Sequence, residues 1–246
     1  MVTIDINCDM GEGFGNDAEL MDYVSSANIA CGFHAGNAET MRRTIESAIE
    51  KGVAVGAHPG YPDRKNFGRL PRSLATNEVY DIVMTQISAF SDICKAAGAK
   101  MKHIKPHGAL YNQAAKDEDL AAVIAQAVFD LDPSLLLFGL SGSVSISEAR
   151  KRGLRTASEV FADRTYRSDG SLTPRNERNA LIHDAHQAVE QILQMVKNGT
   201  VTATDGQIIP ISAGTVCIHG DGENALEFAK VLRQTLIENG ITIKAL

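Results

Sequence analysis

The chain contains 246 residues, 44% of them hydrophobic, and carries a formal net charge of −6 at neutral pH. This length suits one large α/β domain, and an acidic chain without runs of Lys or Arg is not expected to bind nucleic acid. The apolar stretches are too short to cross a membrane and no signal-peptide pattern opens the sequence, so we expect a cytoplasmic protein.

Short apolar runs alternate along the chain with longer amphipathic patterns. Several runs are rich in Ile and Val and lack strict alternation with polar residues, which is typical of strands covered on both faces. The predicted strands span residues 2–8, 26–31, 53–57, 101–105, 135–139, 154–160 and 215–219, and a closing strand spans 241–244.

Apolar residues spaced three and four apart predict helices between these strands. Asn37 and Asp117 are suited to cap helix N-termini, and Gly52 is suited to end a helix. The predicted helices cover residues 38–51, 76–97, 118–128, 144–152, 185–196 and 225–239. Residues 200–211 instead alternate around Asp205 and Gly206, which predicts an inserted β-hairpin.

Seven strands that alternate with six helices predict a (β/α) barrel that forms a single domain over residues 1–246, with seven strands instead of eight. A doubly wound open sheet is the alternative architecture.

Polar side chains follow five of the predicted strands, in loops that contain glycine or proline. The carboxyl ends of parallel strands meet at one rim of a barrel, where barrel enzymes carry out their chemistry. Carboxylates and neutral imidazoles there either bind a divalent metal or transfer protons, although each could simply hydrogen-bond its own loop. The residues are Asp9, Glu12, His34, His58, His107, His219 and Asp221, of which Asp9, His34 and His58 are the metal candidates.

Two cations lie close to the same predicted rim. Lys105 could pair with a carboxylate or phosphate or polarise a carbonyl group, and Arg164 offers a bidentate fork for an anion. Glu159 and Asp163 accompany Arg164, so an internal ion-pair network explains that group equally well. Tyr111 either stacks on a ligand or packs in the core.

Several familiar nucleotide and hydrolase motifs are absent from the sequence. It contains no G-x-x-x-x-G-K-[ST] loop, no G-x-G-x-x-G opening a helix after a strand, no G-x-S-x-G elbow and no H-E-x-x-H pair. Any bound nucleotide would therefore be held without a Walker loop.

The chain resembles the LamB/YcsF family in six blocks that occur in order along essentially its whole length. Asn37 and Gly60 depart from the residues expected there, which are Asp and Ser. The blocks are DINCDMGEGFG (5–15), SANIACGFHAG (26–36), GAHP (56–59), KPHGALY (105–111), EVFADR (159–164) and IHGD (218–221).

The resemblance implies ATP-dependent opening of 5-oxo-L-proline to L-glutamate by a complex with two partner subunits, B and C. It also implies a barrel similar to the glycoside hydrolase/deacetylase type. Coupling to ATP would activate the lactam oxygen as a phosphate ester, which water then attacks.

This chemistry distributes roles over the candidate residues. Lys105 and Arg164 would bind phosphate, Asp9 or a rim histidine would act as base, and His58 or His107 would protonate the leaving nitrogen. The remaining candidates would bind the substrate or its phosphate; they are Glu12, His34, Tyr111, Glu159, Asp163, His219 and Asp221.

Two other functions remain compatible with the sequence. The chain could be a metal-dependent amide hydrolase or deacetylase that needs no ATP. It could also be a non-catalytic component that binds 5-oxoproline or a nucleotide while a partner carries out the reaction.

Overall fold

A computed structural model describes residues 2–220 and 225–246 of the chain. The strands within these ranges are β1 (Thr3–Met10), β2 (Ser26–Ala30), β3 (Ala54–His58), β4 (His103–Ile104), β5 (Leu136–Leu140), β6 (Arg155–Phe161), β7 (Thr200–Thr202), β8 (Ile208–Pro210), β9 (Thr215–Ile218) and β10 (Thr242–Ile243). The helices are α1 (Asp17–Leu20), α2 (Ala38–Lys51), α3 (Thr76–Ala96), α4 (Gly108–Ala114), α5 (Glu118–Leu131), α6 (Val144–Lys151), α7 (Ala185–Asn198) and α8 (Ala225–Glu238).

Seven parallel strands form a closed barrel. Strands β1 to β6 pair in chain order, and β9 closes the ring by pairing with both β6 and β1. Cys217 of β9 lies opposite Asn7 on one side and Phe161 on the other. The predicted seven-stranded barrel is thus confirmed, and the open sheet is excluded. Strand β10 adds to the outer edge of β1, opposite Thr3 and Ile4.

The helices that follow the strands pack their apolar faces on the outside of the barrel. Asn37 accepts a hydrogen bond from the Thr40 amide at 2.9 Å and so caps α2, as predicted, and Gly52 ends this helix at a φ of +68°. The predicted hairpin is also present as the antiparallel pair β7–β8, with Gly206 at a positive φ in its turn.

Strand β4 is shorter than the predicted residues 101–105. The Lys105 carbonyl accepts a hydrogen bond from the His58 side chain at 2.7 Å in place of a backbone amide, and Pro106 has no amide hydrogen to continue the ladder. The early end of β4 therefore holds an imidazole ring at the barrel mouth. Among the described residues, no helix is long and apolar enough to span a bilayer.

Candidate active site

A cavity of about 420 Å³ opens at the carboxyl ends of the barrel strands. Most of the predicted site residues border it directly, whereas His34, Glu159 and Asp163 lie behind those that do, and Asp221 falls outside the described residues. The predicted residues on its wall are Asp9, Glu12, His58, Lys105, His107, Tyr111, Arg164 and His219.

The floor of the cavity is an ion-pair group centred on Lys105. Its Nζ lies 2.8 Å from Asp9 Oδ1 and 3.0 Å from Glu159 Oε1, and only 3% of the Lys105 side chain is exposed. Burial alone would lower the pKa of Lys105, but the neighbouring groups, of which the Asp9 charge is the strongest, together outweigh it and raise that pKa well above its usual value. The ammonium therefore remains charged and holds Asp9 in place.

A polar network inside the barrel supports Asp9 from below, and the sequence analysis missed it. Asn28 donates to Asp9 Oδ1 at 2.9 Å and to Asn7 Oδ1 at 2.7 Å, and His103 donates to Asn28 Oδ1 at 2.8 Å. Asp5, Asn7 and Asp9 alternate along β1 and share its inner face. Polar residues at every second position of an otherwise apolar strand are the sequence pattern from which this network could have been predicted.

Beside this floor, Glu12 gathers three histidine rings. Its Oε1 lies 3.1 Å from His34 Nε2, 3.2 Å from His107 Nδ1 and 3.7 Å from His58 Nε2. Asp9 Oδ2 is 3.3 Å from the same His58 nitrogen. The ends of β1 and β3, the loops after β1 and β2 and the N-cap of α4 thus bring two carboxylates and three imidazoles into contact.

Backbone carbonyl groups fix the tautomers of two of these histidines. A carbonyl can only accept, so His58 Nδ1 donates to Lys105 O at 2.7 Å and His107 Nε2 donates to Phe67 O at 2.8 Å. The other nitrogens, His58 Nε2 and His107 Nδ1, lie 2.9 Å apart and face the cavity. In the neutral rings both of these atoms carry lone pairs.

His34 packs behind the pair. Its ring stacks on His107 at 3.7 Å between centroids, and its Nδ1 has no hydrogen-bond partner within the described part of the chain. A Cβ at Gly60 would come within 2.7 Å of that nitrogen, and one at Gly68 within 2.9 Å of His34 Cβ. Glycine at these two positions therefore leaves the space that the stacked rings occupy.

The electrostatics of the cluster favour ionised carboxylates. Burial would raise the pKa of Glu12, but its contacts with His107 and His34 lower it to about 2. Burial lowers the pKa of His34 to about 3 and also lowers that of His107. Burial would likewise lower the pKa of His58, but the Asp9 charge raises it above its usual value.

The opposite side of the mouth is organised differently. His219 donates from Nδ1 to Asp163 at 2.9 Å and accepts at Nε2 from Arg175, 3.1 Å away, since a guanidinium can only donate. Arg164 donates to the carbonyl groups of Thr173 at 2.6 Å and Ala180 at 3.3 Å. These groups hold the loop after β6 against the barrel.

Tyr111 completes the inner wall, with Glu159 behind it. Tyr111 is buried edge-on to Phe161, with ring centroids 6.0 Å apart, and burial followed by the Glu159 charge raises the pKa of its hydroxyl well above the usual value. Its hydroxyl therefore stays protonated and can donate a hydrogen bond to a ligand.

Acid–base side chains around the carboxyl end of a closed parallel barrel define a barrel enzyme. The LamB/YcsF family profile matches residues 4–246, and the chain belongs to this family. It is 55% identical to a Geobacillus kaustophilus protein named as the A subunit of 5-oxoprolinase, over the whole chain and 97% of that protein. It is 52% identical to a protein of the same name from Tolumonas auensis over the full length of both.

Among solved structures, the chain is similar to a lactam utilization protein from Thermus thermophilus. The two share 43% identity with a TM-score of 0.93, over 99% of this chain and 100% of that one. A deacetylase named T48, crystallised with substrate, is 15% identical with a TM-score of 0.53 over 98% and 87% of the two chains. At this identity the second similarity concerns the barrel fold alone.

Proposed function

We propose that this chain is the A component of an ATP-dependent 5-oxoprolinase and that its cavity is where the lactam ring is opened. The proposal depends most on the placement of Asp9 between a buried ammonium and an imidazole, at the floor of a cavity of about 420 Å³. The names of the full-length relatives at 52–55% identity support this substrate.

The reaction requires activation because a five-membered lactam is an unreactive amide. The lactam oxygen would bond to the γ-phosphorus of ATP as ADP leaves, and water would then add to the activated carbon. The carbon–nitrogen bond breaks, the nitrogen gains a proton, and a second water releases phosphate to give L-glutamate.

Asp9 is suited to take the proton from the attacking water. Its Oδ1 is fixed by Lys105 and Asn28, while Oδ2 lies beside His58 at the cavity wall. His58 next to this carboxylate is the better placed of the two histidines predicted to return a proton to the leaving nitrogen. His107 lies one ring further from Asp9 and acts through His58, whose cavity-facing nitrogen it contacts at 2.9 Å.

Anion recognition falls to the cations around the mouth. The Lys105 ammonium lies at the floor, and Arg164 and Arg175 border the outer part of the cavity. Tyr111 would donate to a substrate oxygen from the inner wall. Because the chain has no Walker loop, we propose that the B and C partners help to bind ATP and that the complex acts in the cytoplasm.

The test is reconstitution of the complex with this chain replacing the Geobacillus kaustophilus protein to which it is 55% identical. Glutamate and ADP are measured after adding 5-oxoproline and ATP, for the wild type, Asp9→Asn and His107→Ala. We expect equimolar glutamate and ADP from the wild type and loss of both products from the variants, with circular dichroism showing that they fold.

The two alternatives give other results in the same assay. Glutamate formed without ATP would identify a metal-dependent amide hydrolase and contradict the proposal. Full activity of the folded Asp9→Asn and His107→Ala variants would identify a binding component whose partner carries out the chemistry.

A further inference from the structure

The tautomers at the barrel mouth leave two imidazole nitrogens and a carboxylate facing one another as acceptors. His58 and His107 each donate their N–H group to a backbone carbonyl. In the neutral rings, their remaining nitrogens carry lone pairs and face each other at 2.9 Å. The Glu12 carboxylate lies 3.2 Å from one and 3.7 Å from the other. Lone pairs and a carboxylate repel one another at these distances unless a proton or a metal cation lies between them.

The spacing of these three atoms indicates what kind of cation fits. Zinc and similar ions bind histidine nitrogen and carboxylate oxygen at about 2.0–2.2 Å, which puts tetrahedral ligands about 3.3–3.5 Å apart. The three observed separations, 2.9, 3.2 and 3.7 Å, bracket that value. Histidine ligands at metal centres are oriented by a hydrogen bond from their second ring nitrogen, and His58 and His107 each donate such a bond to a backbone carbonyl.

The cavity separates ligands from supporting residues. Glu12, His58 and His107 border the cavity, whereas His34 does not, although its Nε2 lies 3.1 Å from Glu12. Donation from His34 Nε2 to Glu12 leaves only a lone pair unpartnered at Nδ1, which costs less than an unpartnered N–H. His34 is therefore a positioning residue that holds the Glu12 carboxylate.

We propose that Glu12, His58 and His107 bind one divalent transition-metal ion, of the zinc, cobalt or manganese class, whose open side faces the cavity next to Asp9. Two histidines and a glutamate form a ligand set that leaves a position for water, and such an ion lowers the pKa of that water. Asp9 would then accept the proton of that water and, in place of His58, return it to the leaving nitrogen. Only this catalytic role rests on the proposed function; binding of the metal does not.

The test uses the full chain alone, stripped with a chelator and titrated with Co²⁺. We expect one equivalent to bind and to produce the visible absorption of a four- or five-coordinate site. Glu12→Gln, His58→Ala and His107→Ala should each weaken binding by at least about 100-fold, whereas Asp9→Asn should bind one equivalent. His186→Ala is the control for surface histidines, since His186 is exposed on α7.

His34 has a separate signature. His34→Phe should weaken Co²⁺ binding by about 10–100-fold, as loss of a residue that orients a ligand does, and His34→Gln should restore most of the affinity through its amide donor. A purely structural role would lower thermal stability in both variants alike and leave the affinity unchanged.

Failure of the wild type to bind an equivalent of Co²⁺ would overturn the metal site, as would Glu12→Gln binding it with wild-type affinity and spectrum. Glu12→Gln keeps the size of the side chain, so its Co²⁺ affinity can be interpreted even if the alanine variants do not fold. Glutamate production by the reconstituted, metal-stripped complex is a separate measurement. ATP-dependent activity without metal would leave the proposed function standing with a protonated His58 as the cation.

Discussion

The two sides of the barrel mouth both carry histidine next to a carboxylate, yet their hydrogen bonds differ. On the β1–β4 side, each of His58 and His107 gives one nitrogen to a backbone carbonyl and turns the other toward the cavity. On the β6–β9 side, Asp163 and Arg175 occupy both nitrogens of His219. A histidine at a strand end is thus available for chemistry only when its second nitrogen has no protein donor.

The difference assigns chemistry to one side and loop attachment to the other. His219 also stacks on Phe161, with ring centroids 5.6 Å apart, and so fastens the loop after β6 to the barrel wall. The Glu12 carboxylate on the other side does not attach a loop in this way, since it is surrounded by the rings of histidines. Substitutions on the two sides should therefore affect different kinetic parameters.

The largest expected difference is between the two aspartates. In the reconstituted complex, Asp9→Asn should lower kcat by about 10³-fold, since it removes the base while Glu159 still pairs with Lys105. Asp163→Asn should lower it less than about tenfold. Initial rates of ADP and glutamate formation measure both. Equal losses in the two variants would show that both sides of the mouth take part in the chemistry.

The next effect concerns the stability of the floor. Lys105→Met should lower the free energy of unfolding by about 3 kcal/mol, because it leaves the buried Asp9 and Glu159 carboxylates without their shared cation. Urea unfolding measures this change. Lys51→Met is the matched control, since Lys51 pairs with Asp22 at 2.5 Å on the surface and its loss should cost less than about 1 kcal/mol. A similar cost in both variants would contradict the role of burial.

Much of this architecture could be predicted from the sequence. Periodicity located the barrel strands and the long helices between them but not the short helices α1 and α4, and strand order alone predicted that Asp9, His58 and His107 would share one rim. The tautomer of His107 could not be predicted, because its ring donates to the carbonyl of Phe67, 40 residues earlier in the chain. Phe67 lies in a turn and adopts a φ of +55°, which is unusual for a residue other than glycine. No short motif signals such a turn.

The predicted strand 101–105 contains His103, but the surroundings of this residue could not be predicted. The sequence places it at the start of its strand, where a stabilising role is expected. The structure shows its ring stacked on Phe138, with centroids 4.3 Å apart, and donating to Asn28. Gly56 on the neighbouring strand leaves the space for the ring, since a Cβ there would come within 2.2 Å of it. Glycine in a strand signals a close approach but not which residue makes it.

The buried ring of His103 makes stability depend on pH. Burial lowers its pKa to about 3, so between about pH 6.5 and pH 3 the unfolded chain binds this proton and the folded chain does not. The contribution of the neutral His103 ring to folding stability is therefore fully present above about pH 6.5 and is lost as the pH falls toward about 3. From pH 7 to pH 5 this histidine should contribute a loss of about 2 kcal/mol.

Urea unfolding of the metal-free protein at the two pH values measures this loss. His103→Gln keeps a donor for Asn28 and should lose about 2 kcal/mol less than the wild type. His186→Gln, at an exposed position, should match the wild type. Identical losses in all three proteins would show that His103 titrates normally in the folded chain.

The smallest expected effect tests the loop side of the comparison. Arg175 is exposed and donates to His219 at 3.1 Å, so Arg175→Ala should change the free energy of unfolding by less than about 1 kcal/mol. In the reconstituted complex it should raise KM for an anionic substrate several-fold and leave kcat within about twofold, because an exposed guanidinium contributes to binding in the ground state and transition state alike.

Arg178→Ala, at an exposed position in the same loop, is the control. A kcat loss comparable to that of Asp9→Asn would mean that the arginine loop acts in the chemical step, and the division between the two sides of the mouth would then be wrong.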